Sequence, residues 1–157
     1  MPINIHHNLK MRPTFDHNGH QVRAAGILVR AGRHTLLRRV RGRYEDIGGK
    51  TDPRDTCALD TAVREAAEET NGKLLDPRHT QKECEDTLRE LLEECETHYN
   101  PRSKYLCYLL KVPTHVKFLP MRRFGRCEIT EWGGLQHYYK WMITLPRNLH
   151  PRLWLLR

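Results

Sequence analysis

Several absences bound the reading of this chain before any motif does. It has no apolar run near the ~20 residues that a membrane-spanning helix needs; Tyr105 to Leu110 is among the longest. Its five cysteines (Cys57, Cys84, Cys95, Cys107 and Cys127) contain no C-x-x-C pair. An odd count without such spacing argues against a zinc ribbon and against a secreted disulfide framework. Reduced thiols are expected, several of them in the core. Met1 to Lys10 has no apolar h-region, so no secretory signal is expected, and the chain reads as cytoplasmic. The ten histidines supply no H-x-x-x-H pair near the acidic residues, which weighs against a zinc site. There is no internal repeat and no low-complexity tract. With 38% hydrophobic and 29% charged residues, the 157-residue chain fits one globular domain and not a disordered one.

Acidic residues are scarce at both ends. Residues 1–50 carry a net charge of +7, residues 51–98 carry −8, and residues 99–157 carry +9. After Tyr99 the only acids are Glu128 and Glu131. Clustered carboxylates can hold a divalent cation, and basic flanks can hold a polyphosphate or nucleic acid. A solvated acidic helix within a basic surface satisfies the same pattern.

Residues 1–20 are polar and punctuated by Pro2, Pro13 and Gly19, and read as an N-terminal arm before a single domain over 21–157. Val22 to Val29 predicts a strand, Gly32 a turn, and Thr35 to Val40 its hairpin partner. Gly48-Gly49 and Pro53 mark a loop. A helix is predicted from about Cys57 to Thr70, with Asp55 or Thr56 as N-cap and Asn71-Gly72 as its stop. Spacings of three and four among Cys84, Leu88, Leu91, Leu92, Cys95 and Tyr99 predict a second helix over 81–99 with an acidic outer face. Tyr105 to Val112 and Cys127 to Trp132 are strand candidates. The tail from Gln136 is expected to hold a short helix, a loop and a docked terminal segment. The alternation gives a mixed α/β order.

The most informative stretch is Arg64-Glu65-Ala66-Ala67-Glu68-Glu69. At 100° per residue, Arg64, Glu65, Glu68 and Glu69 fall within an arc of roughly 140° on one helix face. Three like charges so close repel by a few tenths of a kcal/mol per pair. Arg64, a bound cation, or both can offset that. Hard cations such as Mg²⁺ take oxygen ligands, with few carboxylates and substrate phosphates.

Gly48-Gly49-Lys50-Thr51-Asp52-Pro53-Arg54-Asp55 leads directly into this helix, and Thr70-Asn71-Gly72 follows it. At these residues the chain resembles the Nudix hydrolase family, whose signature is G-x5-E-x7-R-E-U-x-E-E-x-G-U, U being apolar. The chain departs from it in three ways. Asp55 stands in place of Glu, eight residues rather than seven separate it from Arg64, and Asn71 adds one residue before Gly72. The first two put the role of Asp55 in doubt; the run from Arg64 to Glu69 matches without a gap. The string from Tyr44 to Asp52 is also similar to Nudix proteins of large DNA viruses. The resemblance covers roughly Val22 to Leu135.

The resemblance implies a Nudix-type α/β/α sandwich around a mixed sheet. It implies Mg²⁺- or Mn²⁺-dependent hydrolysis of a pyrophosphate bond in a nucleoside diphosphate linked to another moiety. Glu65, Glu68 and Glu69, with the carbonyl of Gly49, are then the metal ligands. Glu65 and Glu68 are also candidates for the catalytic step, Glu65 by orienting and deprotonating the attacking water. Glu128 is the candidate for the extra carboxylate that many members add. Arg64 is expected to pair with Asp55 or a neighbouring glutamate. Arg39 and Arg41, placed on one face of an extended strand by alternation, are candidate phosphate contacts, as is Lys50; Tyr44 is a candidate to stack on a base. The expected partner is an anionic polyphosphate substrate, with RNA among the candidates. A non-catalytic Nudix-like module binding RNA or a nucleotide is the competing class.

Overall fold

A computed structural model describes residues 11–124 and 138–156. Its centre is β3 (Ala24–Ala31), whose Ile27 and Val29 are fully buried. Along one edge β3 pairs in parallel with β8 (Tyr105–Val112), from Ala24↔Tyr105 to Ala31↔Val112. Its other edge is shared. The first half pairs antiparallel with β6 (Ile47–Lys50), and the second half with β4 (His34–Val40) across the turn at Gly32, where φ is +59°. The chain therefore splays β4 from β6 beside the middle of β3. β5 (Arg43–Glu45) and β9 (Tyr138–Met142) pair with β4, and β7 (Glu96–Asn100) pairs with β8. One parallel pair among antiparallel ones makes the seven-stranded sheet mixed, so the fold is mixed α/β as expected.

Both α-helices lie on one face. α1 (Ala58–Glu69) buries Ala58, Thr61, Ala62, Val63, Ala66 and Ala67, and these small side chains let it sit close to β3 and β6. α2 (Gln81–Leu92) begins with a capping box between Thr80 and Glu83 and buries Cys84, Leu88 and Leu92 in the same core. The opposite face carries no α-helix among the described residues. Leu37, Tyr105 and Cys107 are covered there by Leu149 and Leu153, the latter in a 3₁₀ segment at Pro151–Leu156. Among the described residues, a short C-terminal segment covers this face. No helix among the described residues is long and apolar enough to cross a membrane.

Five expectations differ from what is found. Gly48-Gly49, expected in a loop, belong to β6, where Gly48 pairs with Gly26 and Gly49 with Ala25 of β3. The N-cap of α1 is Cys57, which makes no side-chain cap; instead Asp60 accepts from the amide and hydroxyl of Thr56. The second helix stops at Leu92, and Glu96 to Asn100 form strand β7. The spacing of Cys95 and Tyr99 fits a helix or a strand, and pairing with β8 decides the outcome. Tyr138 to Met142 form a strand rather than part of a short helix, because an aromatic run completes the edge of β4. Residues 15–22, within and beside the expected arm, form a hairpin, β1 (Phe15–His17) and β2 (His20–Val22). It turns at Asn18-Gly19, both at positive φ, and buries Val22. The strand expected at Cys127 to Trp132 lies outside the described residues.

Two close contacts make this packing testable. Gly26 and Gly48 face each other in β3 and β6, beneath the Tyr105 hydroxyl. A Cβ at Gly26 would overlap that hydroxyl and the Ile47 carbonyl, so Gly26→Ala should cost about 3 kcal/mol or more in urea unfolding. Between the helices, Asp60 pairs with Arg89. Burial pushes the Asp60 carboxyl up, but hydrogen bonds from Thr56 and Arg89 outweigh it and hold it at about 2. A depressed carboxylate stabilises the fold above its unfolded pKa of about 4, and that support disappears as pH falls through the folded value. Because the pair is partly exposed, Asp60→Asn should cost only about 1 kcal/mol at pH 7. Thermal melts should show the gap closing between about pH 4 and pH 2.

Candidate active site

The site is assembled where β6 ends, a tight loop follows, and α1 begins. The loop is closed by Asp52 and Asp55: the Asp55 amide donates to the Asp52 carbonyl at 2.8 Å, and the Asp52 amide donates to the Asp55 carboxylate at 3.0 Å. The Thr51 hydroxyl donates to the Pro13 carbonyl, tying the loop to the residues before the hairpin. Asp55 is buried, and its carboxylate also accepts from the Thr61 hydroxyl at 2.8 Å.

Arg64 reaches back to this loop from α1. Its Nε and Nη2 grip Asp55 at 2.9 and 3.0 Å, and Nη2 also donates to the Lys50 carbonyl at 3.0 Å. Its Nη1 lies 3.2 Å from Glu65 and 3.4 Å from Glu68. Burial would lower the Arg64 pKa, but Asp55, Glu65 and Glu68 raise it, so the guanidinium stays charged. This is the pairing expected of Arg64. It also explains how the shorter, displaced Asp55 is used: it anchors the loop to the helix.

The three glutamates share the face of α1 that meets the loop. Glu65 lies against Gly49, where an added Cβ would stand 2.5 Å from the Glu65 Cδ. Glycine at this position is therefore a space requirement of the carboxylate. Glu65 is 15% exposed, Glu68 32% and Glu69 13%. Burial raises the Glu65 pKa; Arg64 opposes that, and the charges of Glu69 and Glu68 add to it. Glu69 receives Nη1 of Arg38, and its backbone carbonyl accepts from the Tyr139 hydroxyl at 2.9 Å. Arg54 Nη2 stands 3.8 Å from Glu68.

Arg38 is a site residue that the sequence does not single out from the run of arginines around it. It is buried, two residues after Leu36 and on the same helix-facing row. It bridges Glu69 to Glu45, which accepts its Nη2 at 2.8 Å. That phase with Leu36 is the one signal in the sequence that marks it. The other proposed contacts are not brought to the carboxylates. Arg39 and Tyr44 face each other across β4 and β5, the guanidinium 6.0 Å from the ring centroid, and alternation places Arg39 on the face away from Arg38. Arg41 does not continue that strand; it sits at φ +50° in the turn with Gly42, exposed. Lys50 is exposed at the rim, and its carbonyl serves Arg64. Glu128 lies outside the described residues.

Among the described residues, no three histidine, cysteine or acidic side chains are already gathered as a metal-holding set. The donor chemistry nonetheless suits a hard cation: three carboxylates and the Gly49 carbonyl are all oxygen donors. Compared with models of known protein families and with curated proteins, the chain matches none.

Arg38 bears most directly on this arrangement. Removing one member of a buried ion pair leaves its partners uncompensated, at roughly 3–5 kcal/mol. Arg38→Gln should show that loss in chemical denaturation, whereas Arg39→Gln, on an exposed side chain, should stay within about 0.5 kcal/mol of the parent.

Proposed function

We propose that the chain is a divalent-metal-dependent pyrophosphohydrolase of the Nudix type. It would cleave a pyrophosphate bond in a nucleoside diphosphate linked to another moiety: a nucleotide derivative, a dinucleoside polyphosphate or a capped RNA. One observation supports this above the others. Glu65 is seated on Gly49 while Glu68 and Glu69 share its helix face, in a loop–helix unit stapled by Arg64 and Asp55. Crowding acids against a glycine has no evident packing benefit, and it suits a cation.

In this reading Glu65, Glu68, Glu69 and the Gly49 carbonyl hold Mg²⁺ or Mn²⁺. When bound, such an ion polarises a phosphoryl oxygen and lowers the pKa of coordinated water. Glu65, seated on Gly49 beside Glu68, would either hold the ion or orient and deprotonate the attacking water. Arg64 fixes the loop so that Gly49 and Glu65 stay in contact. Lys50 and Arg54, both exposed at the rim, draw the anionic substrate. Glu128 is kept as the candidate extra carboxylate. The cytoplasm is the proposed compartment, which the free Cys57, Cys84, Cys95 and Cys107 suit.

A second reading is favoured by the arginines themselves. Arg38 and Arg64 already neutralise much of the acidic face, as a nucleotide- or RNA-binding module without catalysis would require. Glu68 separates the two, because it is the most exposed of the three acids and its loss should leave the fold intact. With Mg²⁺ or Mn²⁺, the parent should release phosphate-containing products from at least one of the three substrate classes. Glu68→Gln should lower that turnover about 100-fold or more with an unchanged melting transition. A parent that forms no product from any of them, and a variant with unchanged ligand affinity, would establish the binding module instead.

A further inference from the structure

The two ends of the sheet are treated differently. At one end the outer side of β5 is covered by the chain itself: the Tyr44 amide donates to the Asn148 carbonyl at 2.9 Å, and the His150 amide donates to the Tyr44 carbonyl at 2.7 Å. At the other end, among the described residues, the backbone of β7 pairs with β8 alone. β7, Glu-Thr-His-Tyr-Asn, has no proline, no lysine and no bulge in its register from Glu96↔Leu109 to Asn100↔Tyr105, and only its Asn100 side chain, among the described residues, donates to the C-terminal segment, at the Pro151 and Arg152 carbonyls. Apolar surface lies alongside. A groove of about 730 Å³ mixes the apolar Leu91, Leu109 and Ile143 with Arg30 and Lys111 and is bordered by Glu96 and His98. Ile143 is 67% exposed, and Leu91, at the end of α2 beside β7, is 45% exposed.

From these features we infer that β7 is a dimer interface, and that its occupant is β7 of a second copy of this chain. The charge pattern selects that partner. Glu96 and His98 are two residues apart, on the same face of the strand and either side of Thr97. In an antiparallel pair centred on Thr97, each Glu96 stands opposite the His98 of the other copy, so each carboxylate meets an imidazole N–H that can donate to it. A two-fold axis requires this kind of self-complementarity. The pairing would join two sheets into one and satisfy the open edge. The hydrolase reading plays no part in this inference.

Sedimentation equilibrium of the full chain at about 0.15 M salt tests it. The parent should run at twice the chain mass at about 100 µM. Glu96→Lys sets a cation opposite His98, and His98→Glu sets a second carboxylate opposite Glu96. Both side chains are at the surface, so each variant should keep the parent's melting temperature while its dimer dissociates about tenfold more readily or is lost. When the two variants are mixed in equal amounts, the introduced lysine of one faces the introduced glutamate of the other. The remaining pair is the parental one, His98 opposite Glu96, and association should return. A parent that stays monomeric at that concentration overturns the inference. So does a dimer that withstands both substitutions, or a mixture of monomeric variants that fails to associate.

Discussion

Three carboxylates within one and a half turns of one helix can lie against a sheet only if guanidinium groups share their space. The pair between Arg64 and Asp55 is the first condition for everything around it. Arg64 gives two nitrogens to Asp55, one of them shared with the Lys50 carbonyl, and turns the third towards Glu65 and Glu68. One side chain thereby closes the loop onto the helix and reduces the repulsion on the helix face. Lysine could not do this, because a point charge on a flexible stem cannot hold a carboxylate, a carbonyl and two further acids in one plane. The loop's position then determines where Gly49 lies, and Gly49 determines how near Glu65 can come.

Arg38 supplies the second condition from the sheet. It joins Glu69 to Glu45, and Glu45 also lies 3.7 Å from Arg152. Arg152 in turn binds Asp46 at 2.7 Å, stacks 4.4 Å over the Tyr105 ring, and belongs to the C-terminal 3₁₀ segment. Tyr105 donates its hydroxyl to Asp46 directly above Gly26 and Gly48. A chain of alternating charge therefore runs from the end of α1, past the gap between β4 and β6, to the segment that covers the opposite face. Buried ion pairs of this kind add little net stability compared with apolar replacements of equal volume. What they do here is join elements distant in the chain, β4 to the end of α1 and the C-terminal segment to β5 and Asp46.

What the sequence made legible follows from this division of labour. The helix carrying Arg64 to Glu69 has two strong local signals, an apolar row of period 3.6 and the Asn71-Gly72 stop, and the fold keeps both. Arg64 was expected to pair with Asp55 or a neighbouring glutamate, and the fold brings it to Asp55, Glu65 and Glu68 together. Arg38 could not be ranked above Arg39 or Arg41 from composition. Its meeting with Glu69 crosses 31 positions and depends on β4 lying beside α1. Likewise Cys95 and Tyr99 satisfy helical spacing, and only the availability of β8 as a partner makes residues 96–100 a strand. Local periodicity was readable; the choice between two compatible local states was made by distant partners.

The same constraint bears on how a cation could be accommodated. Glu69 is held by Arg38 from within the sheet, and both side chains are nearly buried. Glu68 is the most open of the three, and its contacts with Arg64 and Arg54, at 3.4 and 3.8 Å, are the longest in the cluster. Glu65 lies between them, raised in pKa by burial and by its acidic neighbours. In the proposed reading, an arriving cation would meet groups of graded availability. Glu68 gives up the least, Glu65 gains relief from repulsion, and Glu69 must share its charge with a guanidinium that Glu45 also holds. The firmest anchor of the helix end would thus be the costliest ligand for the proposed cation to recruit, since Glu69 is already held by Arg38.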